Sequence, residues 1–150
     1  MMPRPSAGEN GEGARRYADL VSGTAANALS LKQSAMVAAW EELIRQRQVV
    51  LVGCIRQEVL SGLRDPLAFE RLRDHLRAFD DEPLTCDDYE EAARCFNRCR
   101  QAGIAGPNVD FLLCAVALRR HLEIFTTDAD FHHYAKHLAI RLHHPRGAMP

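Results

Sequence analysis

Lysine is almost absent from this chain: of its 19 basic residues only Lys32 and Lys136 are lysines and the rest are arginines. The planar guanidinium fork suits bidentate pairing with phosphate or carboxylate, although a bias toward arginine is also a plain compositional habit. Neither sign of charge is in excess, since 20 acidic residues leave a formal charge of −1. Without a global positive field, any contact with nucleic acid has to be made by a local patch. Long apolar runs are missing as well. No window approaches the roughly 20 consecutive apolar residues that a membrane-spanning helix needs, and Met1 to Gly13 has no basic head followed by an apolar run. The chain is expected to be soluble, unexported and cytoplasmic, with no membrane partner. The five cysteines include no C-x-x-C pair. Cys95 and Cys99, four apart on a predicted helix, lack the second well-spaced pair of a tetrahedral zinc site, so the cysteines read as small buried hydrophobes. His133 and His137 stand at i, i+4 but without the glutamate of H-E-x-x-H, so they suggest no zinc site. What is present, 150 residues of which 47% are hydrophobic and 26% charged, suits one compact core.

Met1 to Gly13 holds three of the nine glycines, two prolines and no aromatic or β-branched residue. Residues 1–13 are therefore expected to be a disordered tail, residues 14–144 the folded domain, and residues 145–150 a second tail. Met36, Val37, Trp40, Leu43 and Ile44 predict an amphipathic helix over Gln33 to Arg47. Val49-Val50-Leu51-Val52 reads as a strand buried on both faces. Helices are predicted through Ile55 to Leu63 and through Phe69 to Phe79. Pro83-Leu84-Thr85 reads as a short strand, and Asp87 with Glu90 as the capping box of a helix ending at Gly103. A further helix opens at Pro107-Asn108, followed by a strand over Leu122 to Phe125, a short helix and a last strand at Ile140 to Leu142. Strands alternating with helices imply a short parallel sheet in a three-layer α/β/α domain.

In such sheets, ligands collect in the crevice outside the carboxyl ends of the strands, which makes acids placed just after strands informative. Asp128 and Asp130 follow the run ending at Phe125, and their i, i+2 spacing lets both approach one cation. Either residue alone also makes an ordinary helix or turn cap. Glu58 sits one turn into the helix after the Val49 strand, and Asp110 sits in the first turn of its helix, where the helix dipole alone favours a carboxylate. The predicted topology can bring all four to one end of one sheet. Carboxylates crowded there need a divalent cation to offset their repulsion, which points to phosphodiester chemistry with the acids acting first as metal ligands. Asp128 is the best placed for any general-base role. Arg94, Arg98, Arg100, Arg119 and Arg120 are candidates for a local nucleic-acid-binding patch, or else solvated helix faces with glutamate partners.

The residues Gln57-Glu58-Val59-Leu60-Ser61-Gly62, Asp88-Tyr89-Glu90-Glu91-Ala92-Ala93 and Cys99-Arg100-Gln101-Ala102-Gly103-Ile104 resemble the PIN-domain ribonucleases of VapC type. Asp110-Phe111-Leu112-Leu113-Cys114-Ala115 is similar to the family's acid-bearing helix start, and Thr126-Thr127-Asp128-Ala129-Asp130-Phe131 to its T-x-D-x-D-F signature. The resemblance runs from about Val49 to His144.

It implies a three-layer α/β/α domain that cleaves RNA with Mg²⁺ or Mn²⁺, as the toxin of a toxin–antitoxin pair. Such a toxin is expected to be a homodimer neutralised by a small antitoxin protein. Glu58, Asp110, Asp128 and Asp130 map onto the family's metal-site acids, Glu58, Asp110 and Asp128 being the expected catalytic set, with Thr126 as the supporting hydroxyl. The family's first strand, which runs into Asp-Thr/Ser-Ser-x-Trp, has no counterpart. Its nearest substitute is Asp19, 39 residues before Glu58. Either Asp19 completes the metal site, or the site is degraded and the chain is a catalytically impaired PIN-like module that keeps only antitoxin binding.

Overall fold

The structure is a computed structural model that describes residues 2–3 and 31–144. Strand β1 is Met2–Pro3. The apolar spacing around Trp40 gives helix α1 over Leu31–Arg45. All four residues of Val49-Val50-Leu51-Val52 are buried. Strand β2 spans Val49–Val50, and Leu51 prolongs it through a parallel bridge to Asp81. Helices α2 (Gly53–Ser61) and α3 (Pro66–Leu76) follow. The second is opened by Asp65, whose oxygens accept the N–H groups of Leu67 and Ala68, with Pro66 pre-set for the first helical position. Helix α4 (Cys86–Gln101) stops at Gly103, whose φ of +76° lets Ile104 N–H reach back to the Cys99 carbonyl. Helix α5 (Asn108–Arg120), strand β3 (Glu123–Ile124), helix α6 (Asp130–Tyr134) and strand β4 (Arg141–Leu142) complete the domain.

The strands are short but ordered. β1 pairs antiparallel with β2, Met2 opposite Val50 and Pro3 opposite Val49. β3 pairs parallel with β4. β1 also lies beside β3, at a separation that leaves no room for another strand between them. The hydrogen-bonded pairs thus make two two-stranded sheets, β1–β2 and β3–β4, and two residues of the expected N-terminal tail stand where these meet. The rest of that tail, the 14–30 stretch with Asp19, and residues 145–150 lie outside the described residues.

Burial on both faces explains the strand sequences. Val50, Val52 and Ile124 pack with Phe111, Val116 and Tyr134 in the main core beneath α4 and α5. Val49 packs with Leu43 and Ile44 of α1 on the other face, beside Trp40 and Phe125, and Leu51 with Leu72 and Leu76 of α3. Helices thus cover both sides of the sheet, the expected three-layer α/β/α arrangement. No helix among the described residues is long and apolar enough to cross a membrane.

Two local expectations give way to one tertiary feature. Residues 82–85 form no strand, and the bridge falls at Asp81 instead. The capping pair is Thr85 with Asp88 rather than Asp87 with Glu90: the Thr85 N–H and hydroxyl donate to Asp88 Oδ2 at 2.7 and 3.0 Å. The reason lies 32 residues on, at the end of α5. Arg120 donates to both Asp88 oxygens, at 2.7 and 3.0 Å, and Arg119 Nε donates to Oδ1 at 2.8 Å. Arg120 also holds Glu82 at 2.6 Å and the Pro83 carbonyl at 2.8 Å. Asp88 is wholly buried, and only this many donors make a buried carboxylate tolerable. Arg119 and Arg120, candidates for a nucleic-acid patch, are spent on this clamp between α4 and α5.

The Arg120 guanidinium holds the Asp88 carboxyl far below the usual carboxylate range, against the opposing effect of burial and with help from Thr85. A carboxylate depressed in the folded state adds stability that is complete above its unfolded value, about 3.9, and is lost as the pH falls toward the folded value. Thermal melts across an acid series are expected to show a shallower loss of stability below about pH 4 in Asp88→Asn than in the parent chain, because the variant lacks this titration. Equal slopes would mean that the clamp does not couple to protonation.

Candidate active site

Each described acid reaches the site from a different element. Glu58 projects from α2, the helix that leaves the end of β2, and is exposed. Asp110 lies in the first turn of α5 and is half-buried. Asp128 and Asp130 follow β3, the first in the connecting loop and the second opening α6, both exposed. Thr126 shapes that loop: its Oγ1 accepts the Asp128 N–H at 3.0 Å, and Asp128 Oδ1 accepts the Asp130 N–H at 2.9 Å. The capping expected of these residues is thus real, but it is Asp128 that accepts and it engages one oxygen. Thr126 supports Asp128 through this turn. Asp19 lies outside the described residues.

The structure brings these four acids into one electrostatic neighbourhood. Burial pushes the Asp110 carboxyl above its ordinary value, the hydrogen bond from Tyr134 acts the other way, and the charges of Asp128, Asp130 and Glu58 push it up further. Tyr134, missed in the sequence as a core aromatic, donates its hydroxyl to Asp110 Oδ2 at 3.0 Å. Burial, that hydrogen bond and the charges of Asp110, Asp130 and Asp128 hold the phenol protonated well above its ordinary value. The sequence carried no signal for this pairing; it is the burial of the ring, with 0% exposure, that makes its hydroxyl need a partner where phenylalanine would need none.

Gly106 leaves space for that hydroxyl. A Cβ there would collide with Tyr134 Oη and stand 2.9 Å from its Cζ and 3.3 Å from Phe111 Cε2. Gly106→Ala is therefore expected to lower stability by about 1–3 kcal/mol and to displace the phenol from Asp110. Tyr134→Phe should cost only about 0.5–1.5 kcal/mol, the usual worth of one hydrogen bond. Urea unfolding of both variants checks the order, and a neutral Gly106→Ala would contradict the packing described.

Among the described residues no three His, Cys, Asp or Glu groups come close enough together to hold a metal ion between them. The acids converge without forming a closed ligand shell. In kind they fit a hard divalent cation, because every donor is a carboxylate oxygen. The mutual repulsion that raises Asp110 is the effect such a cation relieves.

The family model for the PIN domain matches residues 25–137. The chain belongs to the PIN domain family. Its match spans the elements that carry Glu58, Asp110, Asp128 and Asp130 and begins beyond Asp19. PIN domains are generally metal-dependent nucleases and typically use divalent ions, and the three-layer α/β/α fold seen here is theirs. No curated protein matches the chain.

Proposed function

We propose that this PIN domain is a Mg²⁺- or Mn²⁺-dependent endoribonuclease, the cytoplasmic toxin of a VapC-type toxin–antitoxin pair. The convergence of Glu58, Asp128 and Asp130 on Asp110 carries the reading: four carboxylates from α2, α5, the β3–α6 loop and the start of α6. Glu58, Asp110, Asp128 and Asp130 hold the cation, with Asp19 the candidate for a fifth ligand. Bound there, the ion would supply Lewis-acid activation of water and charge neutralisation at the scissile phosphodiester. Tyr134 fixes the Asp110 carboxylate by its hydrogen bond, and the Thr126 turn fixes Asp128. The small antitoxin acts by laying a segment over this site.

The test is cleavage of a single-stranded RNA by the purified full chain. Activity should vanish when EDTA removes divalent ions and return with Mn²⁺ or Mg²⁺. Cleavage indifferent to EDTA would overturn the reading. A second reading, a catalytically impaired module that binds only the antitoxin, is favoured by one observation: no three donors among the described residues stand within joint reach of a metal. Absence of both cleavage and metal binding, with antitoxin capture intact, would establish it.

A further inference from the structure

The Tyr134 ring is wholly buried, packed on Phe111 and Phe131 at centroid separations of 4.9 and 5.4 Å. Its hydroxyl sits over Gly106, where even a Cβ would collide with it. Packing of this density leaves the ring one place to sit, so the hydroxyl stays on Asp110 Oδ2, 3.0 Å away. The carboxylate keeps its other oxygen, Oδ1, free of that bond. Asp128 is limited in the same way: the Asp130 N–H occupies its Oδ1 at 2.9 Å and leaves Oδ2 to the site. Helix α6 supplies both donors, the backbone N–H of its first residue and the hydroxyl of its last. Two of the four acids thus face the site with one oxygen apiece already engaged.

Divalent ions differ in what they ask of a carboxylate. Ca²⁺ gathers roughly six to eight oxygens and readily takes both oxygens of one carboxylate, whereas Mg²⁺ demands a tight octahedron and fills it with few carboxylates and several waters. Mn²⁺ shares the octahedral, all-oxygen habit. Resting on the metal-dependent reading above, we propose that Tyr134 is a positioning residue that sets the ion selectivity of this site, holding Asp110 to one ligand oxygen and so favouring Mg²⁺ or Mn²⁺ over Ca²⁺. The hydroxyl acts through Asp110 and touches neither ion nor substrate. Without it, Oδ2 is released, and the space above Gly106 lets the carboxylate turn both oxygens toward a cation. Asp110 then suits Ca²⁺ better and is less well oriented for the smaller ions. A tyrosine that served only to satisfy its own buried hydroxyl would change stability on removal and leave the choice of ion untouched.

Calorimetric titration of Mn²⁺ and, separately, of Ca²⁺ into the full chain and its variants reads that choice as a ratio of dissociation constants, without reference to cleavage. The parent chain should bind Mn²⁺ at least about tenfold more tightly than Ca²⁺. Tyr134→Phe, which keeps the ring, should cut that preference about tenfold, the scale on which outer-shell partners of a metal site act. Gly106→Ala, which displaces the same hydroxyl, should move the ratio in the same direction. Ile44→Val, a trim of similar cost in stability on the other face of the sheet, should leave it unchanged. A parent chain that binds Ca²⁺ at least as tightly as Mn²⁺ overturns the proposal while the nuclease reading stands. So does a ratio that Tyr134→Phe leaves at the parent value, or that Ile44→Val shifts equally. A parent chain that binds neither ion overturns both. Should Tyr134→Phe not fold, Gly106→Ala decides alone, and an unchanged ratio there is a refutation.

Discussion

Asp128→Asn is expected to lose RNA cleavage by at least about a hundredfold, more than the 10–100-fold that disturbing a mere outer-shell partner of a metal site costs, while folding as stably as the parent. The substitution separates two roles that share one side chain. Asparagine keeps the Oδ1 acceptor for the Asp130 N–H and leaves the Asp128 N–H on Thr126, and asparagine caps turns as well as aspartate does. What it removes is the charge that reaches Asp110 and Tyr134. If Asp128 only shapes the loop, the variant will match the parent in both cleavage and stability. Measured side by side, cleavage rate and urea midpoint decide between ligand and cap.

Arg120→Ala is expected to have the largest effect on folding, about 3–5 kcal/mol, the cost of stripping one partner from a buried ion pair. It removes two of the hydrogen bonds to the wholly buried Asp88 and releases Glu82 and the Pro83 carbonyl together. Against a typical total of about 5–15 kcal/mol, such a loss leaves the chain close to unfolding at ordinary temperature. Arg94→Ala, which breaks exposed pairs with Glu90 and Glu91, should cost about 1 kcal/mol at most. Arg120→Lys should restore only part of the loss, since an ammonium cannot span both oxygens. Denaturant titration of the three variants checks the ranking, and equal midpoints for Arg120→Ala and Arg94→Ala would refute the clamp.

Periodicity made most of the fold legible. The Trp40, Phe96 and Leu112 helices carry apolar residues at unmistakable spacing, and Val49-Val50-Leu51-Val52 could only be a strand covered on both faces. Strand ends were less legible. The apolar run Leu122 to Phe125 shortens to Glu123–Ile124, because burial and ladder pairing are separate conditions and only the first is written in hydropathy. The capping box was misplaced for a different reason: Asp87 with Glu90 satisfies the local rule, yet Asp88 is the residue that two arginines 31 and 32 positions away select. Within the site, the turn carrying Asp128 and Asp130 was readable from their spacing, and Thr126 from the family resemblance. The hydrogen bond from Tyr134 to Asp110 was not, since it joins residues 24 apart whose meeting depends on how α6 settles against α5. Strand β1 was the least legible part, as Met2–Pro3, which pair with β2, offer no strand pattern of their own.

Calorimetric titration of Mn²⁺ into the full chain, beside Asp110→Asn and Asp19→Asn, bears most directly on the convergence of these acids. Saturable binding that Asp110→Asn abolishes and Asp19→Asn weakens is the expected result. Binding that Asp110→Asn leaves unchanged, or no binding by the parent chain, would contradict a cation site built around Asp110.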